Sequence, residues 1–118
     1  MNGLEWVVEA HGCDAAALVS QQKLEALFDR IIAELSLNAL GKTSWHQFPK
    51  TGGITGVSLL RESHLACHTF PEYHSICLNL FCCRPRPDAD FDALLREELG
   101  AATVRVRRIE RPYERPAS

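Results

Sequence analysis

The chain has 118 residues, 46% hydrophobic and 24% charged, a composition that fits one core and leaves no room for a second domain of ordinary size. Thirteen Lys and Arg against 15 Asp and Glu give a net charge of -2, without the basic excess of a nucleic-acid binder. No apolar run approaches the roughly 20 residues that span a bilayer, and residues 1–5 lack the basic and apolar regions of a signal peptide, so a cytoplasmic protein with neither nucleic-acid nor membrane partner is expected.

In chain order, residues 4–10 read as a strand closed by a turn at Gly12, where Asp14 can cap the helix after it. Leu24, Leu27, Phe28, Ile31 and Leu35 then fall at the spacing that puts one apolar stripe on a helix. Asn38 and Gly41 offer its exit, and 43–48 reads as a second strand ended by Pro49. Segments 54–60, 64–70 and 75–83 are strand candidates joined by links too short for parallel crossovers, so they should be antiparallel neighbours. Arg84-Pro85-Arg86-Pro87-Asp88 breaks the sheet. A short helix with Phe91, Leu94, Leu95 and Leu99 on one side comes next, Gly100 suits its stop, and 103–109 is a last strand.

Two helices and five or six strands predict an α+β fold, a two-layer sandwich whose mostly antiparallel sheet carries both helices on one face. Residues 1–111 form the single domain and 112–118 a loose tail. The uncovered sheet face must meet water or a second copy. Trp6, Trp45 and the Cys-rich strand fit a dimer interface or simply the core, and the sequence leaves both open.

The five cysteines include no Cys-x-x-Cys pair, and Cys77, Cys82 and Cys83 crowd one apolar run, which is not a disulfide framework. His64, Cys67, His68, His74, Cys82 and Cys83 match no paired-ligand spacing, so no metal site is expected.

Reactive groups gather instead around the turn at Ser63. With His68 on an adjacent strand and Cys83 near the end of the next, a hydroxyl, an imidazole and a thiol could surround one point. Three chemistries could use them. A serine hydrolase lacks its Gly-x-Ser-x-Gly here, a cysteine nucleophile with a histidine base is possible, and so is self-processing, in which Ser63 attacks the carbonyl of Glu62.

Glu62-Ser63-His64-Leu65, His68-Thr69-Phe70-Pro71-Glu72-Tyr73 and Asn79-Leu80-Phe81-Cys82-Cys83, preceded by Gly53-Ile54-Thr55-Gly56-Val57, resemble the short prokaryotic S-adenosylmethionine decarboxylases that depend on a self-made pyruvoyl group. Gly12-Cys13-Asp14 extends the resemblance toward the N-terminus. It implies that Ser63 attacks the Glu62 carbonyl, that cleavage between 62 and 63 leaves a pyruvoyl group in place of Ser63, and that neither pyridoxal phosphate nor a metal is needed. His68 is implied to remove the Ser63 α-proton, Thr55 to assist the acyl shift where the family usually has serine, and Cys83 to protonate the substrate's α-carbon.

The pyruvoyl group would form a Schiff base with the substrate amine and act as an electron sink. Glu72 is implied to bind ribose hydroxyls, Phe48 best matches the aromatic that stacks on adenine, and Phe70 stands where the family usually has Trp. Arg61, Asn79 and Arg84 also depart from the family pattern. The resemblance implies an enzyme making the aminopropyl donor for polyamine (spermidine) synthesis, and with the uncovered sheet face a homodimer of cleaved protomers is expected. A decarboxylase of free ornithine or arginine, or a non-processing regulatory homologue, would fit the same scaffold.

Overall fold

The computed structural model describes residues 1–117. Its elements are β1 (Asn2–His11), α1 (Ala15–Leu18), α2 (Gln21–Glu34), β2 (Ser44–Gln47), β3 (Ile54–Leu60), β4 (Ser63–Phe70), a 3-10 turn (Pro71–Tyr73), β5 (Ser75–Cys82), α3 (Phe91–Leu99) and β6 (Thr103–Pro112). Side-chain caps start both long helices: Ser20 accepts from the Lys23 N–H at 3.2 Å and Asp90 from the Ala93 N–H at 3.0 Å. Gly100, at φ 67°, ends α3 in the left-handed conformation that suits glycine. The single turn α1 was not separable in the sequence from the longer helix behind it; Ser20 divides the two.

The strands form one six-stranded sheet in the order β2-β3-β4-β5-β1-β6, every neighbour antiparallel. Period-two alternation sets its two faces. Leu4, Trp6 and Val8 of β1, Leu65 and Cys67 of β4, and Ile76, Leu78 and Leu80 of β5 are buried, and they join Leu24, Leu27, Phe28 and Ile31 of α2 and Phe91, Leu94 and Leu95 of α3 in one core. The expected α+β two-layer sandwich is what the chain adopts.

Both tryptophans belong to the helix side. Trp6 packs near Phe91 at 6.3 Å between ring centroids, and Trp45 lies 5.0 Å from Phe28. The face away from the helices carries His64, His68 and Phe70 of β4, together with Val57 and Leu59 of β3, which are 45% and 60% exposed. β6 runs through Pro112, and Tyr113 is also tied down: its N–H donates to the Met1 carbonyl at 3.0 Å and its O–H to the Cys83 carbonyl at 2.8 Å. The segment expected to be loose is thus ordered at its first two residues, and its last, 118, lies outside the described residues. Among the described residues no helix is long and apolar enough to cross a membrane.

Gly56 shows how closely the layers approach. It pairs with Trp45, and a Cβ added there would sit 2.1 Å from Trp45 Cζ3, so only glycine lets the indole lie flat across β3 and reach Phe28. Gly56→Ala is expected to cost about 1–3 kcal/mol by overpacking, read as a lowered urea midpoint with an unchanged slope.

Candidate active site

β3 and β4 are joined by Arg61 and Glu62 alone, with Leu60 and Ser63 as the closing pair. Two-residue hairpins favour turns with positive φ at their central residues, which Asn and Gly supply. Neither Arg61 nor Glu62 adopts positive φ; the departure falls on Ser63, whose φ is 151°. Such backbone costs a non-glycine residue on the order of 1–3 kcal/mol and persists only where the surroundings enforce it.

The surroundings here are specific. The Glu62 carbonyl accepts a hydrogen bond from the Cys83 N–H at 2.8 Å. The Glu62 carboxylate, in a residue only 7% exposed, accepts from the Asn38 N–H at 2.9 Å and the Asn38 side-chain amide at 2.8 Å, and pairs with Arg86 at 3.1 Å. Burial pushes this carboxyl's pKa up, but the Asn38 donors, a backbone N–H of its own and the Arg86 charge outweigh it and hold the group below the usual carboxylate range. The peptide between 62 and 63 is therefore clamped through its carbonyl and through the side chain preceding it.

Ser63 Oγ lies 3.0 Å from His64 Nδ1. Cys83, one residue beyond β5, is exposed, while Cys82 before it is fully buried, so the two thiols face opposite ways. Burial pushes the Cys82 thiol up to about 11 and the Cys67 thiol up to about 12, which keeps both protonated.

A second cluster sits at the other end of β3 and β4. Thr55 pairs with His68 across the strands, with Thr55 Oγ1 2.7 Å from His68 Nδ1. With its proton on Nδ1, the imidazole donates to Thr55 and leaves Nε2 as a free base. Phe48 and Phe70 flank the ring, with centroids 5.5 and 4.5 Å away. These three side chains, with Lys50, Thr51 and Glu72, line a cleft of about 480 Å³. A depression of similar size between α2 and β2, lined by Gln21, Glu25, Asp29 and Trp45, contains none of these groups.

The chain therefore brings Ser63 to Cys83, and Thr55, His68, Phe48, Phe70 and Glu72 to one another, but it does not bring the two sets together. His68 does not occupy a strand adjacent to Ser63: both stand on β4, five residues apart, which is about 17 Å of extended chain. Sequence reasoning missed Asn38, His64, Arg86 and Tyr113. Asn38 read as a helix exit, Arg86 as a sheet breaker and Tyr113 as tail; only His64, inside the Glu-Ser-His motif, carried a signal that could have found it.

An α+β sandwich with a strained serine hairpin whose carbonyl is held by a backbone N–H has the features of a self-processing enzyme precursor. The family described as S-adenosylmethionine decarboxylase matches residues 4–112, and the chain belongs to that family. It is 32% identical to the S-adenosylmethionine decarboxylase proenzyme of Picrophilus torridus, over 92% of this chain and 83% of that protein. It is also 32% identical to the proenzyme of the same name from Prochlorococcus marinus, over 100% of this chain and 92% of that one. Its fold is similar to the crystal structure of the adenosylmethionine decarboxylase from Aquifex aeolicus, with a TM-score of 0.77 at 22% identity over 99% of this chain and 96% of that one.

Strain at Ser63 has a measurable signature. Ser63→Gly and Ser63→Ala both remove the hydroxyl, but only glycine relaxes the backbone, so the glycine variant is expected to be more stable by about 1 kcal/mol in denaturant titrations, the reverse of the usual order within a strand.

Proposed function

We propose that this chain is the proenzyme of a pyruvoyl-dependent decarboxylase that severs its own peptide bond between Glu62 and Ser63 and, as a homodimer of cleaved protomers, decarboxylates S-adenosylmethionine to the aminopropyl donor for polyamine synthesis. The observation that carries the reading is the Cys83 N–H held 2.8 Å from the carbonyl of Glu62, beside a serine in strained backbone.

Ser63 Oγ adds to the Glu62 carbonyl carbon, and the developing oxyanion keeps its bond from the Cys83 N–H. The C–N bond then breaks, the nitrogen takes a proton, and an ester remains. Loss of the Ser63 α-proton to His68 expels Glu62 as a carboxylate. The dehydroalanine left at 63 takes up water and releases ammonia, which makes the pyruvoyl group. That group supplies a carbonyl conjugated with the next amide, able to accept the electron pair released with carbon dioxide. The Cys83 thiol, exposed beside it, delivers the proton that replaces the carboxylate.

His68 cannot take the Ser63 α-proton within its own chain across about 17 Å of strand. A two-fold axis through the uncovered sheet face resolves this, because such an interface sets residue i against j and j against i. The Ser63 and Cys83 end of one protomer then meets the Thr55 and His68 end of the other. Val57 and Leu59, exposed on β3 between the two ends, supply apolar surface near the axis. Thr55 holds the His68 ring through its Nδ1, 2.7 Å from the hydroxyl, and leaves Nε2 free. In the cleft beside it, Phe48 and Phe70 offer aromatic faces to adenine, and Glu72 offers a carboxylate to the ribose hydroxyls. The five free cysteines support a reducing, cytoplasmic setting.

Wild-type protein is expected to split into fragments of 62 and 56 residues out of 118, the second blocked at its N-terminus, as read by intact mass. Ser63→Ala and His68→Ala should each fail to mature alone. Co-expressed under different tags, they should give cleaved His68→Ala chains, since the Ser63→Ala partner lends its histidine; heterodimers that form and stay uncut would refute the shared site.

For the substrate, cleaved wild type should release carbon dioxide from S-adenosylmethionine in preference to ornithine or arginine. Glu72→Gln should lower kcat/KM for S-adenosylmethionine about tenfold or more, the loss expected when a carboxylate no longer accepts hydroxyl hydrogen bonds.

A further inference from the structure

In a regular strand, neighbouring side chains project to opposite faces. Ser63 and His64 break that rule. At the residue with φ 151°, the hydroxyl meets the imidazole of the next residue instead, and Oγ to Nδ1 is 3.0 Å. The imidazole is itself held, with its ring centroid 5.9 Å from that of Phe81 on β5. Among the described residues, His64 is the only side chain within hydrogen-bond distance of Ser63 Oγ; His68 and Thr55 are bonded to each other at the far end of the hairpin.

Conversion of an amide to an ester needs a proton taken from a weakly acidic hydroxyl and a proton given to a poor leaving group. One imidazole can do both in turn, as in the serine–histidine pairs of hydrolases. We infer that His64 is the base and then the acid of the ester-forming step: with its proton on Nε2, Nδ1 accepts the Ser63 hydroxyl proton as Oγ adds to the Glu62 carbonyl, and returns it to the Ser63 nitrogen as the C–N bond breaks. Atoms balance without a further reactant, because the proton lost by oxygen is the one gained by nitrogen. The inference rests on the self-processing proposed above and deepens it.

It divides maturation between two histidines. His64 serves the serine of its own chain, so the ester forms within one protomer. His68 serves the serine of the partner, so the irreversible elimination waits for assembly. A lone chain would hold a reversible amide–ester equilibrium and commit to the break only once dimerised.

Hydroxylamine separates the steps, since it attacks the ester carbonyl of Glu62 and leaves a hydroxamate on the first fragment and a free serine at the start of the second. Full-length His68→Ala protein should accumulate ester and be cut by hydroxylamine. Adding His64→Ala should slow that cut by about 10²- to 10⁴-fold, the range of general acid–base catalysis, and added imidazole should restore part of the rate. His64→Gln, which fills more of the space beside Phe81 but offers no base, guards against a folding defect and should be as slow as His64→Ala. Equal hydroxylamine cleavage with and without His64 overturns the inference while self-processing stands. Wild type that never splits, together with a His68→Ala chain that hydroxylamine leaves intact, overturns the self-processing reading itself.

Discussion

The hydrogen bond from the Cys83 N–H to the Glu62 carbonyl is the contact on which this site depends. It crosses from the end of β5 to the turn between β3 and β4, and so it ties the bond proposed for cleavage to the residue proposed as the later proton donor. The Cys83 backbone is held at both its N–H and its carbonyl, because the carbonyl accepts from the Tyr113 hydroxyl at 2.8 Å. A tight hairpin with negative φ at both central residues would otherwise relax by moving the strain off Ser63. Pinning the carbonyl on one side and the buried Glu62 carboxylate on the other denies it that freedom.

Burying a carboxylate is costly unless donors replace water, and Asn38 and Arg86 do so here. The cut proposed after Glu62 would add a second carboxylate to that residue, while the other new end, a pyruvoyl group, carries no amine to offset it. Peptide hydrolysis normally leaves one charge of each sign on the chain ends; this reaction leaves only the negative one on the protein, the positive one departing with the nitrogen as ammonium. A guanidinium already in contact with Glu62 is therefore suited to the product as well as to the precursor.

Much of the scaffold was legible in the sequence because its signals are local. Leu24, Leu27, Phe28 and Ile31 mark one helix face, Gly100 its partner's end, and the short links between β3, β4 and β5 force antiparallel pairing. The grouping of the site was less legible. Sequence distance placed Ser63 and His68 together, yet a continuous strand carries them apart, since nothing between them breaks the pleat. Asn38 and Arg86 reach Glu62 across 24 residues and Tyr113 reaches Cys83 across 30, contacts that no spacing rule encodes. Trp6 and Trp45, ambiguous by type, are resolved by register: both fall on the helix side of their strands.

The strand order has a bearing on what a break after Glu62 would leave behind. One piece would hold β1, β2 and β3 and the other β4, β5 and β6, yet the sheet runs β2-β3-β4-β5-β1-β6. The pieces would be interleaved: β1 of the first lies between β5 and β6 of the second, with ten paired residues on the β6 side alone. Separating them would mean opening three ladders and the core at once, so the nicked molecule would hold together as one body. Unfolding it would nonetheless release two chains where the precursor releases one, turning a unimolecular return into an encounter. Maturation would thus make the fold a one-way product, assembled from a continuous chain and hard to rebuild from its parts.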